Sequence, residues 1–220
     1  MWERIHLMNR FFKLFSLANV ECVTADREFI GKDWLLYLKV RNIPFRIRIK
    51  KDTKVRSGRS HRLMNVTRLF CGNSFQQAVV LSKKRQVLGV TLYIIGLRTA
   101  DDYVILVTNH APESAMADYK RRWEIEMLFS CLKERGFDFE DTHLSEGERV
   151  NKLLALLTLA FCWCILQGEA LSAGKELKLK KHGYPPKSLF RVGLESLCNL
   201  IANISCKFKG FRDALMLFVL

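Results

Sequence analysis

The stretch Ser114–Arg135, SAMADYKRRWEIEMLFSCLKER, decides how the rest of this chain is interpreted. Its pattern predicts one continuous helix. Four polar side chains, spaced three, four and seven residues apart, return to nearly the same azimuth of a helix and form one stripe: Tyr119, Arg122, Glu126 and Lys133. An apolar face lies beside that stripe: Ile125, Leu128, Phe129 and Leu132. We therefore expect Glu126 near the seam between a core and solvent.

Spacing alone leaves two interpretations of the stripe open. Arg122 and Glu126, four residues apart, would form an ordinary helix ion pair worth about 0.2–0.5 kcal/mol, and such stripes are usually solvated. Alternatively, a carboxylate flanked by cations would suit a metal ion with phosphates held on either side. The surrounding sequence has to separate these two possibilities.

The composition describes a globular protein with a polyanionic partner. The residues are 49% hydrophobic and 26% charged, as in globular proteins. A length of 220 residues allows one large domain or two small ones. The net charge of +14, from 36 basic and 22 acidic residues, favours nucleic acid. An anionic membrane surface is the weaker alternative, since no amphipathic helix rich in Lys and Arg stands out.

Cysteine usage and hydropathy indicate a cytosolic protein. The seven cysteines are odd in number and several lie in apolar runs, which favours reduced thiols over a disulfide framework. The run Leu153–Leu166 is apolar almost throughout but too short to span a bilayer comfortably. It predicts a buried core helix, and we expect no membrane partner.

The amino-terminal third predicts helix, strand, helix and strand in turn. An amphipathic helix at about Ile5–Phe15 is followed by a buried strand at Val20–Ala25, a helix at Lys32–Arg41 and a strand at Phe45–Lys51. The last three elements predict a βαβ unit with parallel strands. Asp26 then follows the carboxyl end of a strand, the edge where open α/β sheets bind ligands. A capping or turn aspartate is the simpler alternative.

From about Thr53 to Asn109 the sequence is basic and rich in β-prone runs. A hairpin turn is predicted at Ser57-Gly58, and the runs predict a mostly antiparallel β insertion: Leu63–Phe70, Gln77–Leu81, Val87–Leu97 and Tyr103–Thr108. Its basic residues would face the polyanion, although solvated loops remain the alternative: Lys50, Lys51, Lys54, Arg56, Arg59, Arg62, Lys83, Lys84 and Arg85.

The carboxyl-terminal part predicts three further apolar helices. They lie at about Val150–Leu171, Pro186–Ala202 and Phe208–Leu220, and a basic linker at 175–187 joins the first two.

Three features together resemble a known family. The signature of bacterial insertion-sequence transposases of the insertion-sequence-four type is matched at all four of its positions: Tyr119-x2-Arg122-x3-Glu126-x6-Lys133. These are DDE transposases with a ribonuclease-H-like core. The segment ADREF at 25–29 resembles the strand-end motif that carries the family's second catalytic aspartate. Asp26 and Glu126 are 100 residues apart, with β-rich sequence where the family has a β insertion. More weakly, Ser188–Leu194 resembles the family's carboxyl-terminal region.

The resemblance implies an α/β fold in three parts. Residues 1–52 would form a partial ribonuclease-H-like catalytic core, and 53–110 a β-rich insertion. Residues 111–220 would contain the glutamate-bearing helix and the carboxyl-terminal helices that complete the core.

The resemblance also implies cut-and-paste transposition by two-metal phosphodiester hydrolysis and strand transfer. Asp26 and Glu126 would be catalytic and would bind two Mg²⁺ or Mn²⁺ ions, which prefer carboxylate oxygens. Arg122 and Lys133 would hold phosphates of the transposon end, and Tyr119 would donate a hydrogen bond to one.

The family stacks an aromatic side chain on a flipped base. Trp123 and Tyr103 are candidates here, with packing as the simpler role for each. The implied partners are double-stranded DNA, as transposon ends and target, and a second copy of the complete enzyme. The implied location is the bacterial cytoplasm, at the nucleoid.

One departure from the family limits the expected activity. The family's first catalytic aspartate lies on an earlier strand, whereas only Glu3 and Glu21 precede Asp26 here, and neither suits that role. We therefore expect the carboxyl-terminal part of a transposase, from a truncated, frameshifted or longer reading frame, that is inactive alone. A non-catalytic DNA-binding inhibitor of the intact transposase is one alternative. An unrelated basic RNA- or ribosome-associated protein is another.

Overall fold

The βαβ unit near the amino terminus is present in the computed structural model, which describes residues 2–56, 62–100, 102–134, 136–173 and 186–218. After helix α1 (Trp2–Leu14), strand β1 (Val23–Ala25) leads through helix α2 (Lys32–Val40) to strand β2 (Phe45–Arg48). The two strands pair in parallel, as predicted.

The sheet continues from β2 through antiparallel strands. These are β3 (Lys54–Arg56), β4 (Leu63–Asn65), β5 (Ala78–Val80), β6 (Arg85–Val87), β7 (Val90–Arg98) and β8 (Tyr103–Thr108). The strand order is β1-β2-β8-β7-β6-β3-β4, with β5 also paired to β7. The antiparallel character predicted for this region is confirmed. The fold is thus a mixed α/β arrangement, in which β8 pairs directly with β2 of the βαβ unit.

Two of the predicted strands are wrong in detail. The run Leu63–Phe70 leaves the sheet after Asn65 and forms a 3₁₀ helix at Val66–Leu69. Val66 and Phe70 are fully buried, and the Phe70 N–H donates to the Thr67 carbonyl at 2.9 Å, so the chain turns between them and does not extend.

The run Val87–Leu97 is interrupted by a tight hairpin turn between β6 and β7. Leu88 and Gly89 have φ values of 50° and 82°, as in a two-residue turn of the primed type. The sequence Leu-Gly is not the usual signal for such a turn, so the alternating pattern hides it.

The two faces of the sheet are covered differently. The main core lies on the face that packs against α2, where Trp34, Leu35 and Leu38 are buried. On the other face, helix α3 (Ala115–Lys120) covers part of the sheet, and its Ala115 is buried with Ile95 and Leu106.

The predicted continuous helix Ser114–Arg135 is wrong. The structure has α3 and a separate helix α4 (Trp123–Lys133), and two compact units, Met1–Trp123 and Glu124–Leu220, divide just after α4 begins. Between the helices, the Arg121 and Arg122 N–H groups bond to carbonyls only three residues back, so the chain tightens into a 3₁₀-type turn.

The apolar face predicted for that helix is only partly buried. Ile125 and Phe129 are 46% and 49% exposed, whereas Leu132 is buried. The physical reason is that Ala115 packs on the sheet of the first unit, while Cys131 packs in the core of the second. The stretch therefore serves two cores and not one.

The second unit is helical. It contains α5 (Gly147–Ser172), α6 (Leu189–Ala202) and α7 (Ile204–Met216) besides α4. The close α5–α6 contact forms where Gly168 and Gly193 bring the two backbones together. The Trp163 indole N–H on α5 donates to the Ala214 carbonyl on α7 at 2.9 Å.

Helix α5 differs from the buried core helix that its sequence predicts. On α5 only Cys164, Gln167 and Gly168 are buried, and Leu156 is 64% exposed. In the described part of the chain, the carboxyl-terminal half of α5 packs closely against α6, and its Trp163 also contacts α7. Leucines of the other half, among them Leu154, Leu156 and Leu159, are left largely exposed. By length and composition, α5 is long and apolar enough to cross a bilayer.

Several sequence predictions lie outside the described residues. These are the turn at Ser57-Gly58, the basic residue Arg59, the end of the predicted helix at Arg135, and most of the basic linker at 175–187.

Candidate active site

Asp26 lies at the carboxyl end of β1, where the sheet edge meets a turn. It follows Ala25, the last residue of the strand, and precedes a 3₁₀ turn at Arg27–Phe29. Its Oδ1 accepts a hydrogen bond from the Arg27 N–H at 2.7 Å, so it does cap that turn. The capping role and the predicted position at the end of a strand are therefore both present.

Tyr119 joins the helix motif to the strand-end motif. Its hydroxyl donates to Oδ1 of Asp26 at 3.4 Å, across 93 residues of sequence. Burial raises the pKa of Tyr119 and the negative charge of Asp26 raises it further, whereas Arg122 and Arg48 lower it. The phenol therefore stays protonated at neutral pH and remains a hydrogen-bond donor toward the carboxylate.

Arg122 and Trp123 follow Tyr119 by three and four residues, and their side chains differ in burial. The Arg122 guanidinium carbon lies 5.6 Å from the centroid of the Tyr119 ring, within cation–π range, and the side chain is half-buried. Trp123 is 61% exposed, which does not match a core packing role. Tyr103, the other aromatic candidate, is half-buried against the main core and does match one.

A buried arginine that the sequence interpretation missed holds α3 on the sheet. Arg46 on β2 lies 3.0 Å from Oδ2 of Asp118 and donates to the Thr108 hydroxyl at 2.8 Å. Asp118 also accepts from the Ser114 hydroxyl at 2.8 Å. Because Asp118 immediately precedes Tyr119, this network fixes the helix that carries the tyrosine. The available signal in the sequence was the alternation of apolar and basic residues at 45–51, FRIRIKK, in which Arg46 lies between two apolar residues.

Glu126 and Lys133 belong to the second unit, whereas Asp26, Tyr119 and Arg122 are brought together in the first. Glu126 is half-buried in the first turn of α4. Lys133, in the last turn, lies 2.6 Å from Oε1 of Glu140, and this hydrogen bond raises the pKa of the ammonium group.

The donor atoms around Asp26 do not make a metal centre. Two other carboxylates of the same unit are paired with cations, since Glu21 lies 2.7 Å from Arg121 and Asp118 lies 3.0 Å from Arg46. Across the described ranges, no group of three or more Asp, Glu, His and Cys side chains could hold a metal ion. A pair of divalent ions needs more carboxylate oxygens than these residues supply.

Comparison with known proteins identifies the family of the chain. A family model described as the transposase DDE domain matches residues 5–163, a span that contains both Asp26 and the whole of the pattern from Tyr119 to Lys133. None of the curated proteins compared with the chain matches it. The family match covers well over half of the 220 residues, and this chain therefore belongs to the transposase DDE domain family.

Proposed function

We propose that this chain takes part in cut-and-paste transposition of a bacterial insertion sequence of the insertion-sequence-four type. The observation that carries this proposal is the hydrogen bond between Tyr119 and Asp26. This hydrogen bond joins the two motifs of the resemblance, because Tyr119 belongs to the helix signature and Asp26 to the strand-end motif. Transposase function and a DNA substrate follow from the family, and the more specific roles below are our assignments.

Asp26 and Glu126 are assigned as the catalytic carboxylates that bind Mg²⁺ or Mn²⁺. In the family's reaction, two ions promote phosphodiester hydrolysis and strand transfer. The residues described here do not assemble the donor set for such ions. We therefore propose that the chain is inactive by itself and that a further carboxylate completes the site in the active enzyme.

Tyr119, Arg122, Trp123 and Lys133 are assigned to DNA binding. The exposure of Trp123 and Lys133 supports contact with a large ligand. Phosphate binding by Lys133 exchanges its contact with Glu140 for one with a more highly charged anion. Trp123 offers an open aromatic face on which a base can stack.

We further propose that the chain is the carboxyl-terminal part of a transposase. The parallel pairing of β1 and β2 supports a partial ribonuclease-H-like core at 1–52, followed by an insertion at 53–110 and the completing helices at 111–220. In the described residues β1 pairs only with β2, so its other edge is open to a further strand. A homodimer of the complete enzyme and a cytoplasmic location at the nucleoid belong to the same proposal.

Binding to the element's own ends tests this function. The probe is the genomic DNA that flanks the gene, compared with a shuffled duplex of the same composition in a mobility-shift assay. Arg122→Ala combined with Lys133→Ala should remove the preference for the native ends and retain general affinity for DNA. Lys120→Ala combined with Lys152→Ala, two exposed cations outside the signature, is the matched control. Equal affinity of the wild-type chain for native and shuffled ends would contradict the proposal.

The predicted inactivity has its own test. The purified chain should not nick end-bearing DNA in the presence of Mg²⁺ or Mn²⁺. Nicking by the wild-type chain that is abolished in Glu126→Gln would show that the site is complete.

A non-catalytic inhibitor is the second candidate function. It is favoured by the lack, within the described ranges, of a group of three metal-binding side chains. An inhibitor should lower end cleavage by the intact transposase when the two are mixed. No effect at an excess of the chain would contradict this role.

A further inference from the structure

Residues 53–100 form a segment that is basic and contains no acidic residue. This stretch of 48 residues has no Asp or Glu and nine cations: Lys54, Arg56, Arg59, Arg62, Arg68, Lys83, Lys84, Arg85 and Arg98. A solvated loop region in a protein with 22 acidic residues would be expected to carry some of both signs. One-sided charge of this kind creates a positive field that attracts a polyanion.

The strand register places part of this charge on one face of the sheet. Lys54 and Arg56 are exposed on either side of Val55, which is fully buried in the main core. Neighbours along a strand point to opposite faces, so both cations lie on the face away from that core. Val55 pairs with Val87, and Gln86 pairs with Thr91, so Gln86 and Thr91 share the outer face with the cations.

A bulge between β5 and β6, which both pair with β7, adds a further cation to this face. The partners along β7 pass from Leu81 to Arg85, so three residues, 82–84, lie opposite the single residue Tyr93. The Lys84 ammonium lies 4.4 Å from the centre of the Tyr93 ring. The Arg85 guanidinium donates to two carbonyls of the bulge, each at 3.4 Å, and so stabilises its shape.

The described residues supply no carboxylate that neutralises the cations on this face. In the part of the chain that the structure describes, no carboxylate lies within ion-pair distance of Lys54, Arg56 or Lys84. Lys54 instead donates to the amide oxygen of Asn65 at 2.6 Å. On the same face of the sheet, beneath α3, Arg46 is by contrast paired with Asp118. The charge over β3 and β6 is thus left available to an external ligand.

We propose that this outer face is a binding surface for the phosphate backbone of duplex DNA, independent of base sequence. We call it the basic face: Lys54, Arg56, Lys84, Gln86, Thr91 and Tyr93. The cations would neutralise phosphates, and the amide and hydroxyl groups would donate to phosphate oxygens. The inference rests on the proposed function, because it assigns to the same protein a second DNA contact outside the Asp26 site.

Salt dependence of DNA binding tests the basic face. The triple variant Lys54→Gln, Arg56→Gln, Lys84→Gln is compared with the wild-type chain by fluorescence anisotropy on a labelled duplex of unrelated sequence. Each lost phosphate contact lowers the slope of log K against log salt by about 0.9, so the slope should fall by between about 2 and 3. Affinity at low salt should fall at least roughly tenfold, equally for all sequences.

The matched control removes the same charge from the other side of the sheet. Arg10→Gln, Lys13→Gln and Lys32→Gln change exposed cations of α1 and α2, the helices that adjoin the main core. This variant should keep both the slope and the affinity. A second variant, Gln86→Glu, adds a negative charge to the basic face without removing a cation, and it should also weaken binding.

The outcomes separate the inference from the function on which it rests. Equal losses in the two triple variants, or wild-type affinity in the basic-face variant, would overturn the basic face alone. No DNA binding by the wild-type chain would overturn both proposals. If the basic-face variant loses binding to phosphatidylserine vesicles but retains DNA binding, the face is assigned to a membrane and the inference is overturned.

Discussion

Arg46 shows how one buried charge holds the candidate site together. It is 3% exposed, and a buried guanidinium is tolerated only when its charge and its N–H groups are matched. Asp118 supplies the charge, and the Thr108 hydroxyl and the Phe45 carbonyl accept further hydrogen bonds. Tyr119 follows Asp118 in the chain, so the same contacts position the tyrosine beside Asp26.

Replacement of this arginine should destabilise the first unit strongly. Arg46→Met leaves the Asp118 carboxylate without its ion pair in a largely buried position, and we expect a loss of about 3–5 kcal/mol in the free energy of unfolding. Urea denaturation followed by circular dichroism measures the change.

The exposed Arg68 is the control for this substitution. Arg68→Met should change stability by less than about 0.5 kcal/mol, as surface substitutions usually do. Adding Asp118→Asn to Arg46→Met should recover part of the loss, because it removes the unpaired charge. Similar destabilisation by Arg68→Met and Arg46→Met would contradict the role given to Arg46.

Neighbouring cysteines on α5 should differ in reactivity. Cys162 is exposed, whereas Cys164 is buried, and burial raises its pKa from 9.0 to about 11. The thiolate is the reactive form, so iodoacetamide should label Cys162 first at mildly alkaline pH, with Cys164 protected until the helices separate. Mass spectrometry of the labelled peptides distinguishes the two.

The raised pKa of Cys164 also has a consequence for stability. The stabilisation gained by burying the neutral Cys164 thiol is fully present below pH 9.0, where the thiol is protonated in both folded and unfolded chains. It is lost as the pH rises toward about 11, because only the unfolded chain ionises in that range. The alkaline loss of stability should therefore be smaller in Cys164→Ala than in the wild-type chain. Equal labelling of Cys162 and Cys164 in the folded chain would contradict this burial.

At the scale of elements, α5 and α6 approach each other through glycine. A Cβ atom added at Gly193 would lie 1.7 Å from the Cys164 carbonyl oxygen, and one at Gly168 would lie 2.1 Å from that of Leu189. Both obstacles are backbone atoms, which cannot rotate away as a side chain can. The Gln167 amide donates to the Ser196 hydroxyl at 3.1 Å and adds a polar contact to the same pair of helices.

Gly193→Ala should therefore force α5 and α6 apart. We expect a loss of at least about 1–3 kcal/mol in the free energy of unfolding, despite the higher helix propensity of alanine. Chemical denaturation with tryptophan fluorescence is a suitable measurement, because Trp163 lies on α5.

Gly147→Ala is the matched control on α5. No atom lies within 4 Å of a Cβ placed there, so alanine should be neutral or should stabilise by about 0.4–1 kcal/mol. Equal effects of Gly147→Ala and Gly193→Ala would mean that the close helix contact does not form.

At the scale of the whole molecule, much apolar surface is exposed on the carboxyl-terminal helices. Leu156 and Leu159 on α5 are 64% and 59% exposed, and Phe208 on α7 is 65% exposed. Scattered apolar residues are normal on a protein surface, but clustered ones promote association or mark an interface. Among the described residues β1 pairs on one side only, with β2, and its unpaired edge adds to the same risk.

We expect the isolated chain to self-associate through these residues. Leu156→Gln, Leu159→Gln and Phe208→Gln combined should reduce the weight-average mass found by sedimentation at high protein concentration. The control combines Asn151→Gln, Lys152→Gln and Thr158→Gln at exposed polar positions of α5 and should not change that mass. A wild-type chain that stays monomeric at every concentration would contradict the expectation.

Local patterns predicted most of the elements, and they failed where two cores compete for one stretch. Strand β8 lies where its β-prone run was predicted, at Tyr103–Thr108, because alternation and turn signals act within a few residues. The helix Ser114–Arg135 was predicted as continuous because its periodicity has no break. It is divided after Lys120, since Ala115 packs in one unit and Cys131 in the other.

The sequence by itself determined the family, the strand-end position of Asp26, the parallel pairing of β1 with β2, and the positive charge that favours DNA. Each of these depends on spacing along the chain or on composition. Only the tertiary structure decided that Tyr119 donates to Asp26, that Arg46 is buried beneath α3, and that the cations of β3 share one face. These contacts join residues far apart in sequence, and they form only when the register of the sheet and the packing of α3 are set.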